Sequence, residues 1–334
     1  MQTTFDAGRA LLGRETFDSA ALFARYPPVI RHPGKKVLFG IASAGGRAPS
    51  GPLVVSRFGP LQIPGALPAS TPLLTEIGDY YRYNRVPVGS IGWHVNFADP
   101  DLFYAYGSAA FAQDEIQVAE HPVLGSLREA LLRAEHASVA PRTMEQGQPT
   151  PVLVQGAERW CAIDTDPELA MPYGIYGRRF HRASPEVLRE AVRPLNPPSH
   201  TNLIAMAAPP GGSGVYTRAD IETILTTALT GFAAARYESD NLANPAPRVV
   251  VHTGHWGTGA FGGDQVLMAV LQIVAARLAG IDELVYHTVD ASGAGSLREG
   301  TQIATQLGSA GTAVSTVIEA VVALGFRWGV SDGN

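Results

Sequence analysis

The stretch Val249–Gly280, VVVHTGHWGTGAFGGDQVLMAVLQIVAARLAG, decides the fold. It opens on a β-branched run and closes on an apolar segment, and between them lie Gly254, Gly257, Gly259, Gly262 and Gly263. A continuous apolar, β-branched run marks a strand buried on both faces. Gln265–Leu278, apolar nearly all round, reads as a central helix. A plain turn needs one or two glycines. Several together let the backbone approach a ligand without Cβ interference, and the first turn of a helix presents unpaired N–H groups and a partial positive charge to an anion. The stretch therefore reads as strand, anion-binding loop and helix, with a diphosphate as the ligand. The plainer reading is a tightly packed strand-to-helix turn. Asp264 stands where it would cap the helix and put its own carboxylate on part of the anion site. No Lys-Ser or Lys-Thr follows the glycines, so the loop is not a P-loop, and it does not fit the dinucleotide fingerprint.

Working outward, strands are expected at 35–43 (KKVLFGIAS), 51–59 (GPLVVSRFG), 86–98 with a break near Gly89, 150–157, 201–209 and 282–290. Helices are expected at 18–25, 71–83, 121–135, 184–192, 217–235 and 311–325, several opened by a Ser, Thr or Asp cap or by an early proline. The second half alternates strand and helix, the pattern of a layered α/β domain with helices on both faces of a sheet. A weakly marked boundary falls near residue 85.

Composition narrows the function classes. The chain has 334 residues, a net charge of −5 and 46% hydrophobic residues, enough for a sizeable core. Its mild acidity argues against general nucleic-acid binding, which wants a basic stripe. One cysteine, Cys161, excludes an internal disulfide and a cysteine-cluster zinc site, and reads as a small buried apolar residue. The start lacks the pattern of a secretory signal, and no clean apolar run of about 18 residues marks a membrane span. A soluble, cytoplasmic protein with no metal and no cofactor is expected. His252, His255 and His287 are the residues of an alternative metal-hydrolase reading, but His-x-x-His across a strand end does not put both rings on one helix face.

The segment FAQDEIQVAEHP places Asp114 and Glu115 side by side after Gln113. Neighbours on a helix point about 100° apart and do not normally share a target, whereas in an irregular turn they converge. Two close, partly buried carboxylates raise one pKa and can hold a proton for general acid catalysis. A solvated pair at the start of the following helix is the plainer reading.

Together these two stretches resemble the poly(ADP-ribose) glycohydrolase family. TGHWGTGAFGGD is similar to that family's TGNWGCGAFGGD loop, differing at His255 and Thr258. VNFADPDLFYAYGSAAFAQDEIQVAEHPVL resembles its signature, in which DFAN is followed by three glycines and Gln-Glu-Glu. The resemblance implies an α/β fold: a macrodomain-like three-layer α/β/α core with a mixed sheet over 86–334, preceded by a mainly helical accessory region over 1–85. It implies binding of ADP-ribose or an ADP-ribosylated substrate and cleavage of a ribose O-glycosidic bond. Glu115 matches the family's catalytic acid/base and Asp114 the neighbouring acid that holds a ribose hydroxyl, with Gln113 and Asp99 beside the ribose. Phe261 matches the aromatic that packs on the scissile ribose. Gly257, Gly259, Ala260, Gly262 and Gly263 match the diphosphate loop. Tyr176, with Tyr173 close behind, matches the gating tyrosine. Of the triple glycine only Gly107 remains; Phe103, Tyr104 and Tyr106 stand where main chain would hug the diphosphate, which predicts a reshaped pocket. The alternatives are an ADP-ribose-binding protein that does not cut, and a hydrolase of another ADP-ribosyl or NAD-derived metabolite.

Overall fold

The computed structural model describes residues 7–133, 138–165, 174–242 and 245–331. After a 3-10 turn at Ala7–Ala10, the order is β1 (Leu11–Asp18), α1 (Ser19–Arg25), α2 (Pro33–Ala42), β2 (Pro52–Phe58), β3 (Leu73–Ile77), β4 (Ser90–Phe97), α3 (Gln113–Glu120) and α4 (Val123–Arg133). The two-residue strands β5 (Met144–Glu145) and β6 (Gln148–Pro149) follow, then β7 (Val152–Ile163), α5 (Arg178–Arg182), α6 (Pro185–Glu190), β8 (Val192–Met206) and α7 (Arg218–Asp240). The described chain ends with β9 (Arg248–Gly254), α8 (Gln265–Leu278), β10 (Glu283–His287), α9 (Ala291–Gln306) and α10 (Val314–Ala323).

Eight strands form one mixed sheet in the order β1-β2-β7-β8-β4-β9-β10-β3. The β1 to β8 side is antiparallel, and β8, β4, β9, β10 and β3 run parallel. Alternation sorts the side chains. Trp93, Val95, Ile204, Val249 and Val251 face α7, α8 and α10 in the largest core. Leu53, Val55, Val154, Leu203 and Ala205 face the opposite layer, built on α1 and α4. A third cluster joins α2, α3, α5 and α6 around Trp160 and Phe180. This is a three-layer α/β/α arrangement. The Trp93 indole donates to Ser239 Oγ at 2.8 Å and fastens the end of α7 to the central strand.

The first 85 residues depart from the expected helical accessory region. They hold α1 and α2, but β1 and β2 extend one edge of the sheet and β3 closes the other. Two local readings explain the difference. KKVLFGIAS, expected as a strand, is the body of α2: Pro33 starts the helix, and Lys35, Leu38 and Ala42 are buried at helical spacing. Residues 71–83, expected as a helix, contain β3, where parallel pairing of Leu73–Ile77 with Glu283–His287 overrides local pattern. β7 outruns its expected end because a bulge between Val154 and Ala157 absorbs Gly156 and pairing resumes beyond it. The glycine-bearing helix α9 was not expected; Asp290 caps it by accepting from Gly293 N–H at 2.8 Å. No helix among the described residues is long and apolar enough to cross a membrane.

Ser239→Ala leaves the buried Trp93 N–H without its acceptor. We expect urea unfolding to show a loss of about 1–3 kcal/mol.

Candidate active site

The parallel strands β4, β9 and β10 all end at one side of the sheet, and a cavity of about 520 Å³ opens there. Such crevices at the carboxyl ends of parallel strands are where open α/β sheets take ligands. Three segments form its walls: Phe97–Asp99 with the first turn of α3, the β9–α8 loop from Gly254 to Phe261, and the β10–α9 loop from His287 to Ser292. Tyr80, Tyr81, Tyr83 and Tyr176 line it together with Phe97, Trp256 and Phe261.

Asp114 and Glu115 are both buried and both line this cavity. They sit in the first turn of α3, not in an irregular turn, so their side chains part as helix geometry requires. Asn96 Nδ2 donates to Asp114 Oδ1 at 2.9 Å and to Gln117 Oε1 at 2.8 Å. Glu115 Oε2 accepts the Ala112 N–H at 2.8 Å, the reach-back of a capping carboxylate. Its Oε1 has no donor among the described residues. Burial first, and then the Glu115 carboxylate, push the Asp114 pKa upward. The pair therefore holds a proton at higher pH than an exposed carboxylate does. Gln113, expected to touch ligand, spends its amide on β4: Oε1 accepts Phe97 N–H at 2.8 Å and Nε2 donates to Val95 O at 3.1 Å.

The β9–α8 loop divides in two. Gly257, Gly259, Ala260 and Phe261 line the cavity. Gly262 and Gly263 do not; their N–H groups close back onto Gly259 O at 3.0 Å and Gly257 O at 2.9 Å. The N–H groups of Gly257, Gly259, Ala260 and Phe261 carry no hydrogen bond to another described residue. Gly257 has φ 77°, and a Cβ there would lie 2.6 Å from the Ala208 methyl, so only glycine fits. Asp264 caps α8 through Leu267 N–H at 2.9 Å, so its carboxylate already occupies part of the helix end.

The feared aromatics turn away. Phe103 and Tyr106 are buried in the α1/α4 core, and Tyr104 is exposed. Tyr106 Oη accepts Val29 N–H at 2.6 Å and donates to Glu129 at 2.8 Å. Ala105, Ala110 and Ala112 are what this loop shows to the cavity. Gly107 lies outside it, where a Cβ would stand 2.3 Å from Val29 O. Asp99 lines the cavity and accepts the Asp101 N–H at 2.9 Å. Tyr176 does too, its ring 6.0 Å from that of Tyr80. Tyr173 lies outside the described residues.

The sequence reading missed several residues here. Lys35 of α2 is buried, with Nζ donating to Tyr106 O at 2.8 Å and Ala105 O at 3.2 Å. Glu120, on the cavity floor, forms a bidentate ion pair with Arg159, at 2.8 and 3.1 Å. The Arg159 guanidinium lies 4.2 Å from the Tyr83 ring centroid. Lys35 and Glu120 join the site because α2 and α3 pack side by side. Beneath the tyrosines, His94 stacks on His252 at 4.3 Å, and His252 Nδ1 meets His287 Nε2 at 3.2 Å. The rings of the metal-hydrolase reading thus face one another and the backbone, with His255 Nε2 3.3 Å from Thr288 O. Cys161 is buried and its thiol pKa is raised by desolvation, the opposite of a nucleophile's environment.

Comparison with known proteins gives one family model, described as Poly (ADP-ribose) glycohydrolase (PARG), Macro domain fold, matching residues 153–294. The match runs from β7 into α9 and includes the glycine loop; the acidic pair lies outside it. Solved structures of low identity are also similar. A poly(ADP-ribose) glycohydrolase from Thermomonospora curvata has 14% identity and TM-score 0.41, covering 89% of this chain and 87% of that one. One from the same organism bound to the inhibitor ADP-HPD has 13% identity, TM-score 0.44 and the same coverage. One from Deinococcus radiodurans in complex with ADP-ribose has 12% identity and TM-score 0.44, covering 89% of this chain and 98% of that one.

Burial holds the pKa of His94, His121, His252 and His287 below the ordinary value, to about 4 for His287 and about 3 for His121 and His252. As pH falls below about 6.5, the unfolded histidines bind protons that the folded ones refuse, so these groups withdraw stability. Asp114 and Glu120, raised by burial, pull the other way. The clean measurement is a difference: urea stability of His252→Asn should depend less steeply on pH between about 6.5 and 5 than that of the wild type. Parallel slopes would contradict the buried neutral imidazole.

Proposed function

We propose that this chain, whose residues 153–294 match the poly(ADP-ribose) glycohydrolase model, is a glycoside hydrolase of that family acting at the ribose of an ADP-ribosyl group. The observation that carries the proposal is the meeting, across one cavity, of the acidic first turn of α3 and the unpaired amides of the β9–α8 loop.

The parts divide the work. Amides of Gly257, Gly259, Ala260 and Phe261 hold the diphosphate; they are fixed donors that need no reorganisation when charge arrives. Phe261 packs on the ribose and Asp99 stands beside it. Asp114, tied to Asn96, holds a ribose hydroxyl. Glu115 is tethered by one oxygen to Ala112 N–H and keeps the other for the reaction. It protonates the departing glycosidic oxygen as positive charge builds on the anomeric carbon, then takes a proton from the attacking water. Both acids come from one turn, so the site differs from the usual arrangement of carboxylates on opposite faces of the sugar. The signature loop presents only Ala105, Ala110 and Ala112 to the cavity, small side chains that leave room for the diphosphate.

The test is release of ADP-ribose from poly- and mono-ADP-ribosylated substrates. Glu115→Gln should lower kcat by at least about a hundredfold and leave ADP-ribose affinity within a few-fold of the wild type by calorimetry. Equal turnover by both proteins would remove Glu115 from the role. Phe261→Ala should weaken ADP-ribose binding about tenfold, or roughly 1.4 kcal/mol.

A further inference from the structure

One buried charge, Lys35, belongs to neither the family signature nor the glycine loop. Lys35 belongs to α2, which starts at Pro33 immediately after a clamp on the loop before α3: Arg31 N–H and His32 N–H both donate to Gly107 O, at 2.9 and 3.1 Å. Two residues upstream, Val29 N–H donates to Tyr106 Oη at 2.6 Å. Lys35 Nζ continues the same seam by donating to Tyr106 O and Ala105 O. Its ammonium lies 5.6 Å from the Phe111 ring centroid. Ala105 is on the cavity wall, and Phe111 precedes Ala112, whose N–H holds Glu115. A lysine nearly withdrawn from water is costly unless its charge is answered. Here the answer is two carbonyl dipoles and the field of Glu115 and Asp114, which opposes the lowering that burial imposes on its pKa.

We infer that Lys35 is a positioning residue for the reacting acids: its ammonium pins the Ala105–Tyr106 backbone behind the wall of the cavity and places a positive charge beside Asp114. A loop carrying Phe103 and Tyr106 in place of glycines must be turned outward to leave the cavity free, and Lys35 fastens the main chain in that orientation. The inference rests on the reading of Asp114 and Glu115 as the reacting pair. The Glu120–Arg159 ion pair lies further along α3. Asp114 is faced by Glu115, Lys35 and Asp99, and His32, whose pKa is lowered by burial, is faced by His181 and Lys35.

The experiment is a carboxyl 13C NMR titration of the ligand-free protein, run on wild type, Lys35→Gln and Lys35→Arg, with the pH profile of kcat/KM beside it. An opposite charge at close range lowers a carboxyl pKa by about 1–3 units. Removing it in Lys35→Gln should therefore raise the pair's apparent pKa by about one unit. The alkaline limb of the profile should move up with it, because a general acid loses its proton at higher pH. KM should rise as the loop is released. Lys35→Arg keeps the charge and should return the titration towards wild type. A folded Lys35→Gln whose carboxyl titration superimposes on the wild type overturns the inference. Should that variant fail to fold, the wild type decides: the Lys35 15Nζ resonance must show a second step as the carboxyls titrate, and a single-step curve overturns it. Titrations as expected in a protein that releases no ADP-ribose overturn the glycohydrolase reading and leave only the coupling of Lys35 to the acidic turn.

Discussion

The site depends on the clamp between the end of β4 and the start of α3. Gln113 takes both Val95 O and Phe97 N–H, and Asn96 reaches across to Asp114 and Gln117. These bonds fix the acidic turn to the central strand. β4 in turn pairs with β9 in parallel register, His94 opposite His252, so the distance from the acids to the glycine loop is set by sheet geometry and not by a flexible loop. Reactive groups borne on rigid elements keep the tolerances that catalysis requires. A slip in the β4–β9 register would carry the two halves of the cavity apart and turn Asn96 to the other face.

The same arrangement concentrates unfavourable burial on one side of the sheet. Asp114, Glu115, Glu120, Arg159, Lys35 and His94, His252 and His287 are all buried. Some of these charges answer one another. Glu120 is held by Arg159 and by Ile163 N–H at 2.8 Å. Others are left short: both nitrogens of His94, Nε2 of His252, Oδ1 of Asn96 and Nε2 of Gln117 have no partner among the described residues. Unpaired buried polar groups cost free energy, and their clustering beside a cavity is what a strained functional site looks like. The opposite layer balances it with an almost wholly apolar core of Trp93, Phe232, Leu229, Val251 and Leu271.

What was legible in the sequence was whatever local periodicity or capping governs. α8 appears with the expected bounds because its apolar run starts behind Asp264. α7 appears behind the reciprocal Thr217–Asp220 cap, and runs on to Asp240 because Ser239 is buried against Trp93. The failures at α2 and β3 have one cause: their state is chosen by partners far along the chain, β10 for β3 and the Ala105–Gly107 loop for α2. The site divides the same way. Motif residues Glu115, Phe261, Gly257 and Tyr176 converge on the cavity, whereas Gly107, Gly262 and Gly263 carry packing and turn geometry. Lys35 and Glu120 have no local signal at all, since what makes them part of the site is burial beside other charges.

The missing triple glycine shows how a motif and its physical purpose separate. Glycine permits close main-chain approach because it has no side chain to obstruct the ligand. That purpose is equally met if every obstructing side chain points elsewhere. Here φ 55° at Phe103 helps turn the chain so that Phe103 enters the core and Tyr104 reaches solvent, while Tyr106 is anchored between Val29 and Glu129. Left-handed backbone at a bulky residue costs roughly 1–3 kcal/mol, so the outward turn needs compensation. It has two sources, the apolar burial of Phe103 and Tyr106 and the bonds that α2 makes to the backbone of residues 105–107. The N-terminal residues therefore act on the cavity from behind its wall, and their coupling to the acidic turn is a property of packing that no signature sequence records.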